Sequence, residues 1–276
     1  MVKRMSRSLV AVALLATMLP ACQREQPGQA TAPVQHPAAG DLPGEAVDVV
    51  LEDTIETDPR FIIGISYPQP ARQYPGLAAE LKRYSDAARG ELMEAVADMG
   101  PDAAPAPYDL SLSYTMVVET PRIVAVAGDG SSYTGGAHGN PLVARFVWLP
   151  ERDELLRPEE LIPSAQGWAI VSDHVAEQLQ AALSQRVDAD DLDPAERAQV
   201  VRSAGKMIEE GTRPDPDNFR QFEPVLAPDG RIQSLRFVFP PYQVGPYADG
   251  VQEVEVPASV LLPHVAPGYR GLFAPP

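Results

Sequence analysis

The first apolar run of the chain extends from Leu9 to Leu19, behind Lys3, Arg4 and Arg7, and it ends on Leu19-Pro20-Ala21-Cys22. A basic start, a short apolar stretch and small residues at its end are the layout of an export signal. These 11 residues fall short of the roughly 20 that a membrane-spanning helix needs. Gln23 to Gly44 is rich in Gln, Pro, Ala and Gly and lacks apolar periodicity, which predicts a disordered tether. Beyond it, Ala46 to Leu51 and Phe61 to Tyr67 are short β-rich runs separated by Thr57-Asp58-Pro59, and they predict a pair of strands. From Leu77 to Met99, Leu77, Leu81, Tyr84, Ala88, Leu92 and Val96 recur at helical spacing up to Gly100-Pro101, so this stretch predicts an amphipathic helix.

The pattern then turns to alternation. Leu110 to Val118, a turn at Glu119 to Arg122 and Ile123 to Ala127 predict a β-hairpin, followed by a Gly/Ser-rich loop and a strand over Leu142 to Leu149. Trp168, Val171, Val175, Leu179 and Leu183 share one face of a helix over Gln166 to Arg186. A second helix starts at Asp193-Pro194 and runs to Gly211, with Asp at the N-cap and Pro at the first helical position. Phe222 to Ala227, a Pro228-Asp229-Gly230 turn, Ile232 to Phe239 and Val251 to Val256 return to strands. The expected fold is α+β, a mixed or mainly antiparallel sheet with a few packed helices.

Composition sharpens the address. Cys22 is the sole cysteine among 276 residues, so no disulfide can form within the chain. Residues 1–21 hold three basic residues and no acidic one, so their removal takes the formal charge from −16 to −19. No Lys/Arg cluster survives cleavage, which argues against nucleic acid as a partner. Leu-Pro-Ala-Cys resembles the lipobox of bacterial lipoproteins, in which cysteine is acylated and becomes the mature N-terminus. The resemblance implies lipid on Cys22 and, with Gln23 in place of Asp, outer-membrane retention on the periplasmic side. The expected organisation is a signal peptide at 1–21, a lipidated tether at 22–44, a strand-helix module at 45–104 and a C-terminal domain at 105–276.

Tyr133-Thr134-Gly135-Gly136-Ala137-His138-Gly139-Asn140 resembles the Gly-Gly-Ala-His-Gly signature of the RsiV-like C-terminal domain family, bacterial extracytoplasmic domains of unknown function. Tyr242-Gln243-Val244-Gly245-Pro246-Tyr247-Ala248-Asp249-Gly250 resembles that family's tyrosine-rich segment, and Phe237-Val238-Phe239 precedes it as the expected apolar strand. The resemblance covers about 105–265. Relatives in the family include the outer part of a lysozyme-sensing anti-sigma factor and a module attached to a peptidoglycan deacetylase. Neither a sigma-binding domain nor a deacetylase metal motif is read in this chain, so signalling and deacetylation are not expected of it.

The candidate residues are Tyr133, Gly135, Gly136, His138, Gly139, Asn140, Tyr242 and Tyr247, as a binding or a structural loop. The glycine-rich segment lacks a Gly-Lys-Ser/Thr ending and leads into a strand, whereas phosphate cradles work with a helix N-terminus. Its glycines suit positive φ or close backbone approach. His36, His138, His174 and His264 are the only histidines, with no metal-ligand spacing. Asp173-His174 is expected at a helix edge. Asp188, Asp190, Asp191 and Asp193 lack the glycine and closing Glu of a calcium loop and mark a helix start. No catalytic constellation, nucleophile elbow or cofactor motif is read. Three function classes stand: a surface-anchored binding module, with a cationic lysozyme-type muramidase as its possible partner; a structural envelope lipoprotein; and a cell-wall enzyme with dispersed residues.

Overall fold

The computed structural model describes residues 49–100, 106–189 and 192–275. The expected signal at 1–21, Cys22, the tether at 22–44, His36, Asp190 and Asp191 lie outside the described residues. Among those described, five α-helices pack on a mixed six-stranded sheet and an antiparallel three-stranded sheet, an α+β fold. The larger sheet runs in chain order: β1 (Thr54–Asp58), β2 (Phe61–Ser66), β3 (Tyr108–Glu119), β4 (Val124–Tyr133), β5 (Asn140–Leu149) and β6 (Glu154–Leu155). All neighbours are antiparallel except β2 and β3. Those two parallel strands are joined through helix α1 (Pro75–Ala97), since a parallel pair needs a long crossover.

Helix α1 follows from its spacing. Leu77, Ala78, Leu81, Ser85, Ala88, Leu92 and Val96 are buried, one face at intervals of three and four. Against them pack Ile63, Ile65, Leu110, Leu112, Val124, Val126, Phe146 and Trp148. The alternate residues of the central strands, Ile123, Ala125, Val147 and Leu149, belong to a second core on the opposite face. β4 and β5 are therefore buried on both sides, which is why their sequences read as unbroken apolar runs. The second core is closed by α2 (Pro158–Leu161), α3 (Ala165–Ala189), α4 (Pro194–Gly211), α5 (Ala258–Leu261) and the smaller sheet, β7 (Phe222–Leu226), β8 (Ile232–Phe239) and β9 (Gln252–Pro257). Trp168 stacks on Phe219 with ring centroids 5.3 Å apart, and its indole N–H donates to the Ile162 carbonyl at 2.8 Å.

Two expectations are corrected. The first strand lies at Thr54–Asp58, not over Ala46 to Leu51; of that run Val49 to Leu51 are unpaired and Ala46 to Asp48 lie outside the described residues. Leu51 is nevertheless buried, so its apolar character serves the core without a ladder. The strand that does form, Thr-Ile-Glu-Thr-Asp, is polar because it is an edge; Glu56 accepts two hydrogen bonds from Arg89 of α1, each 2.9 Å. The second correction concerns the Gly/Ser-rich stretch. β4 continues to Tyr133, and the loop before β5 shrinks to 134–139. Gly130 permits this: a Cβ there would stand 1.9 Å from the Ser111 carbonyl oxygen of β3, so the strands approach this closely only with glycine.

Candidate functional site

The loop at 134–139 is the turn between two long paired strands. Ser132 pairs with Asn140 and Ser131 with Pro141, so Tyr133 and Asn140 are strand ends rather than loop residues. Gly135 and Gly136 take φ of 98° and 101°, a region that side chains disfavour. The Tyr133 hydroxyl donates to the Gly136 carbonyl at 3.2 Å. This turn carries His138 outward, where the side chain is exposed.

The tyrosine-rich segment reaches the same place from the other end of the domain. Gln243 donates from its amide to the Gly211 carbonyl at 3.0 Å and to the Asn218 carbonyl at 2.8 Å, and Val244 beside it is buried. Asp249 meets Arg186 of α3 at 2.8 Å. Held at both points, the segment projects Tyr242 and Tyr247, 48% and 38% exposed. Tyr242 sits at φ 74°, a strained backbone for a bulky side chain, closed by its N–H donating to the Gly245 carbonyl at 2.9 Å.

His138 Nε2 lies 2.9 Å from the Tyr242 hydroxyl and its Nδ1 lies 3.1 Å from the Gly139 carbonyl. One neutral tautomer satisfies both contacts, with Nδ1–H donating to Gly139 and Nε2 accepting from Tyr242. The imidazole also stacks on Tyr247, centroids 4.1 Å apart and planes 15° from parallel. Two tyrosines thus clasp one histidine across 104 residues of sequence. The arrangement offers π faces and a hydroxyl to a partner. Among the described residues it brings no third group to His138 that would make it a relay for nucleophilic catalysis. Among the described residues no three His, Cys, Asp or Glu side chains gather as a metal site, and no helix is long and apolar enough to cross a membrane. Asp173 is exposed on α3 and His174 half-buried beside it.

Sequence reading missed the residues that hold this surface up and the charged joint between the two sheets. Arg145 on β5 is 3.2 Å from Glu223 of β7 and donates to Asp129 at 2.9 Å; Arg236 of β8 bonds Glu223 and Glu255 at 2.9 and 2.7 Å. The hydrogen bond from Arg236 holds the Glu255 carboxyl below the usual carboxylate range. A lone Arg145 inside an apolar strand was the available signal, because a buried charge requires a partner.

A protein-family model described as "Protein of unknown function (DUF3298)" matches residues 163–259. No curated protein matches the chain. Among solved structures, a DUF3298 family protein from Pseudomonas aeruginosa PAO1 aligns over 82% of this chain and 94% of its own, at 14% identity and a TM-score of 0.50. A member of the same family from Bacteroides fragilis NCTC 9343 aligns over 80% and 94% respectively, at 15% identity and a TM-score of 0.45. At 14% identity the likeness to the first of these speaks for fold alone. The stretch that the DUF3298 model matches, residues 163–259, includes Tyr242 and Tyr247, while His138 reaches it from the preceding hairpin.

Proposed function

We propose that this chain is an outer-membrane-anchored envelope lipoprotein, held by lipid on Cys22, whose folded part is a binding module with His138, Tyr242 and Tyr247 at its contact surface. The observation that carries this reading is the clasp: exposed aromatic rings mounted on a strained backbone and pinned to α3 and α4 from below. Tyrosine is enriched among the residues that dominate interfaces, and rings already locked in place lose little entropy on docking. The partner is a cationic lysozyme-type muramidase. Two things favour it, the sequence resemblance to a lysozyme-sensing domain and the expected mature charge of −19, which steers a basic protein toward the surface.

Calorimetry with several lysozyme classes, at low and physiological salt, tests the partner beside an unrelated basic protein of similar charge. Charge steering alone fades as salt rises. Recognition through the clasp persists, and Tyr247→Ala weakens it by about 2 kcal/mol, the size of an interfacial hot spot. Equal binding of the control, or loss of every signal at physiological salt, would return the chain to the structural-lipoprotein class. Palmitate labelling of wild type and Cys22→Ala tests the anchor, with label expected on the wild type alone.

A further inference from the structure

β9 is the outer strand of the smaller sheet, paired with β8 on one side. Among the described residues no strand pairs with its other side. An antiparallel edge strand points every second N–H and C=O outward, a template for another extended chain. Alongside this edge Gln178, Leu179 and Ala182 of α3 form the far wall of an open groove whose near wall is Gln252 to Glu255.

The alternation of β9 gives that groove two chemistries. Val254 and Val256 face the core under α3, whereas Glu253 and Glu255 stand half-exposed on the opposite face with Arg236. On that face the carboxylates of Glu223, Glu253 and Glu255 all lie within ion-pair range of Arg236, and Glu223 also meets Arg145. Three carboxylates thus share two guanidinium groups, which leaves the face with a net negative charge. A chain laid along β9 would meet small apolar surface with one set of side chains and excess negative charge with the alternate set.

We propose that the groove between α3 and the free edge of β9 is a strand-addition site for an extended basic segment of a partner protein. Lysine or arginine at alternate positions lies over Glu253 and Glu255, small apolar residues lie between them against Leu179 and Ala182, and backbone hydrogen bonds to β9 supply the register. Strand addition draws affinity from the main chain and selectivity from alternate side chains. The inference rests on β9 and α3, and makes no use of the rings at Tyr242 and Tyr247.

The test uses the mature chain with a fluorescein-labelled peptide of alternating lysine and valine. Anisotropy should show saturable binding, and hydrogen exchange should show new protection at amides within Gln252 to Val256. The same peptide N-methylated at alternate residues, which cannot complete the ladder, should bind at least about tenfold more weakly. Ala182→Trp, which fills the groove from an exposed position, and Glu253→Lys should each weaken the unmodified peptide to a similar degree, while Tyr247→Ala leaves it unchanged. Equal binding of the N-methylated peptide would reduce the effect to charge and overturn the proposal. So would protection falling outside β9, or loss of binding on Tyr247→Ala alone. Failure here leaves the muramidase reading standing, because that reading is scored on Tyr247 and this one on Ala182 and the peptide backbone.

Discussion

Tyr242 shows how a single residue reveals a site. A bulky side chain at φ 74° costs roughly 1–3 kcal/mol and persists only where its surroundings over-determine it. Here the surroundings are named: the turn bond to Gly245, the Gln243 anchors on Gly211 and Asn218, and the hydroxyl contact with His138. His138 contributes one hydrogen bond to Tyr242, one to its neighbour Gly139 and one ring stack, all at the surface where water competes. Its replacement by alanine should therefore lower stability by about 0.5–1.5 kcal/mol, within the range of a single net hydrogen bond. Urea denaturation measures this. An unchanged midpoint in His138→Ala would show that the Tyr242 turn stands without the clasp, and the strain would need another cause.

At the scale of elements, the helices came out of the sequence most faithfully because their causes are local. Asp193 accepts from the Ala195 and Glu196 amides at 2.8 and 3.0 Å, with Pro194 at the first helical position, as its place in the chain implied. Asp193→Ala should cost about 1 kcal/mol, with α4 fraying first, and hydrogen exchange at Ala195 to Arg197 will register it; unaltered exchange there would mean that packing alone sets the start. Strands were legible where burial imposed alternation, as in β3, or an unbroken apolar run, as at Phe237 to Phe239 of β8. β1 was missed because an exposed edge needs no apolar residues, and β4 was read short because Gly128-Asp129-Gly130 looks like a turn when the approach of Ser111 is unknown. The site was half legible. Both aromatic segments stood out, but their meeting depends on β4, β5 and β8 ending at one place, and residue spacing carries no such distance. Arg145 within an apolar strand pointed to a buried partner without saying that Glu223 would be it.

For the molecule as a whole, the two cores are joined through shared strands. Val124, Val126, Phe146 and Trp148 face α1, while Ile123, Ala125, Val147 and Leu149 face α3 and the smaller sheet. Loss of either core therefore strips β4 and β5 of half their burial. The joint between the sheets adds an ion pair, Arg145 with Glu223, whose side chains are 7% and 9% exposed. The Arg145 Nε is within ion-pair range of the carboxylate, but its N–H is not aimed for a hydrogen bond, so the attraction is chiefly Coulombic. Glu223→Gln leaves Arg145 with only the more exposed carboxylate of Asp129 as its ion-pair partner, so it should cost about 1–3 kcal/mol. Arg145→Met combined with Glu223→Gln should cost less than the two singles together, because neighbours that share one interaction do not add. The two tryptophans report on cooperativity separately, Trp148 from the α1 core and Trp168 from the α3 core. In Trp148→Phe and Trp168→Phe variants, the fluorescence transition of the remaining indole should coincide with far-ultraviolet circular dichroism, the signature of an all-or-none transition. If Trp168 fluorescence changes at lower urea than the dichroism, the α3 core opens by itself. The coupling assigned to β4, β5 and the Arg145–Glu223 joint would then be too weak to bind the sheets into one unit.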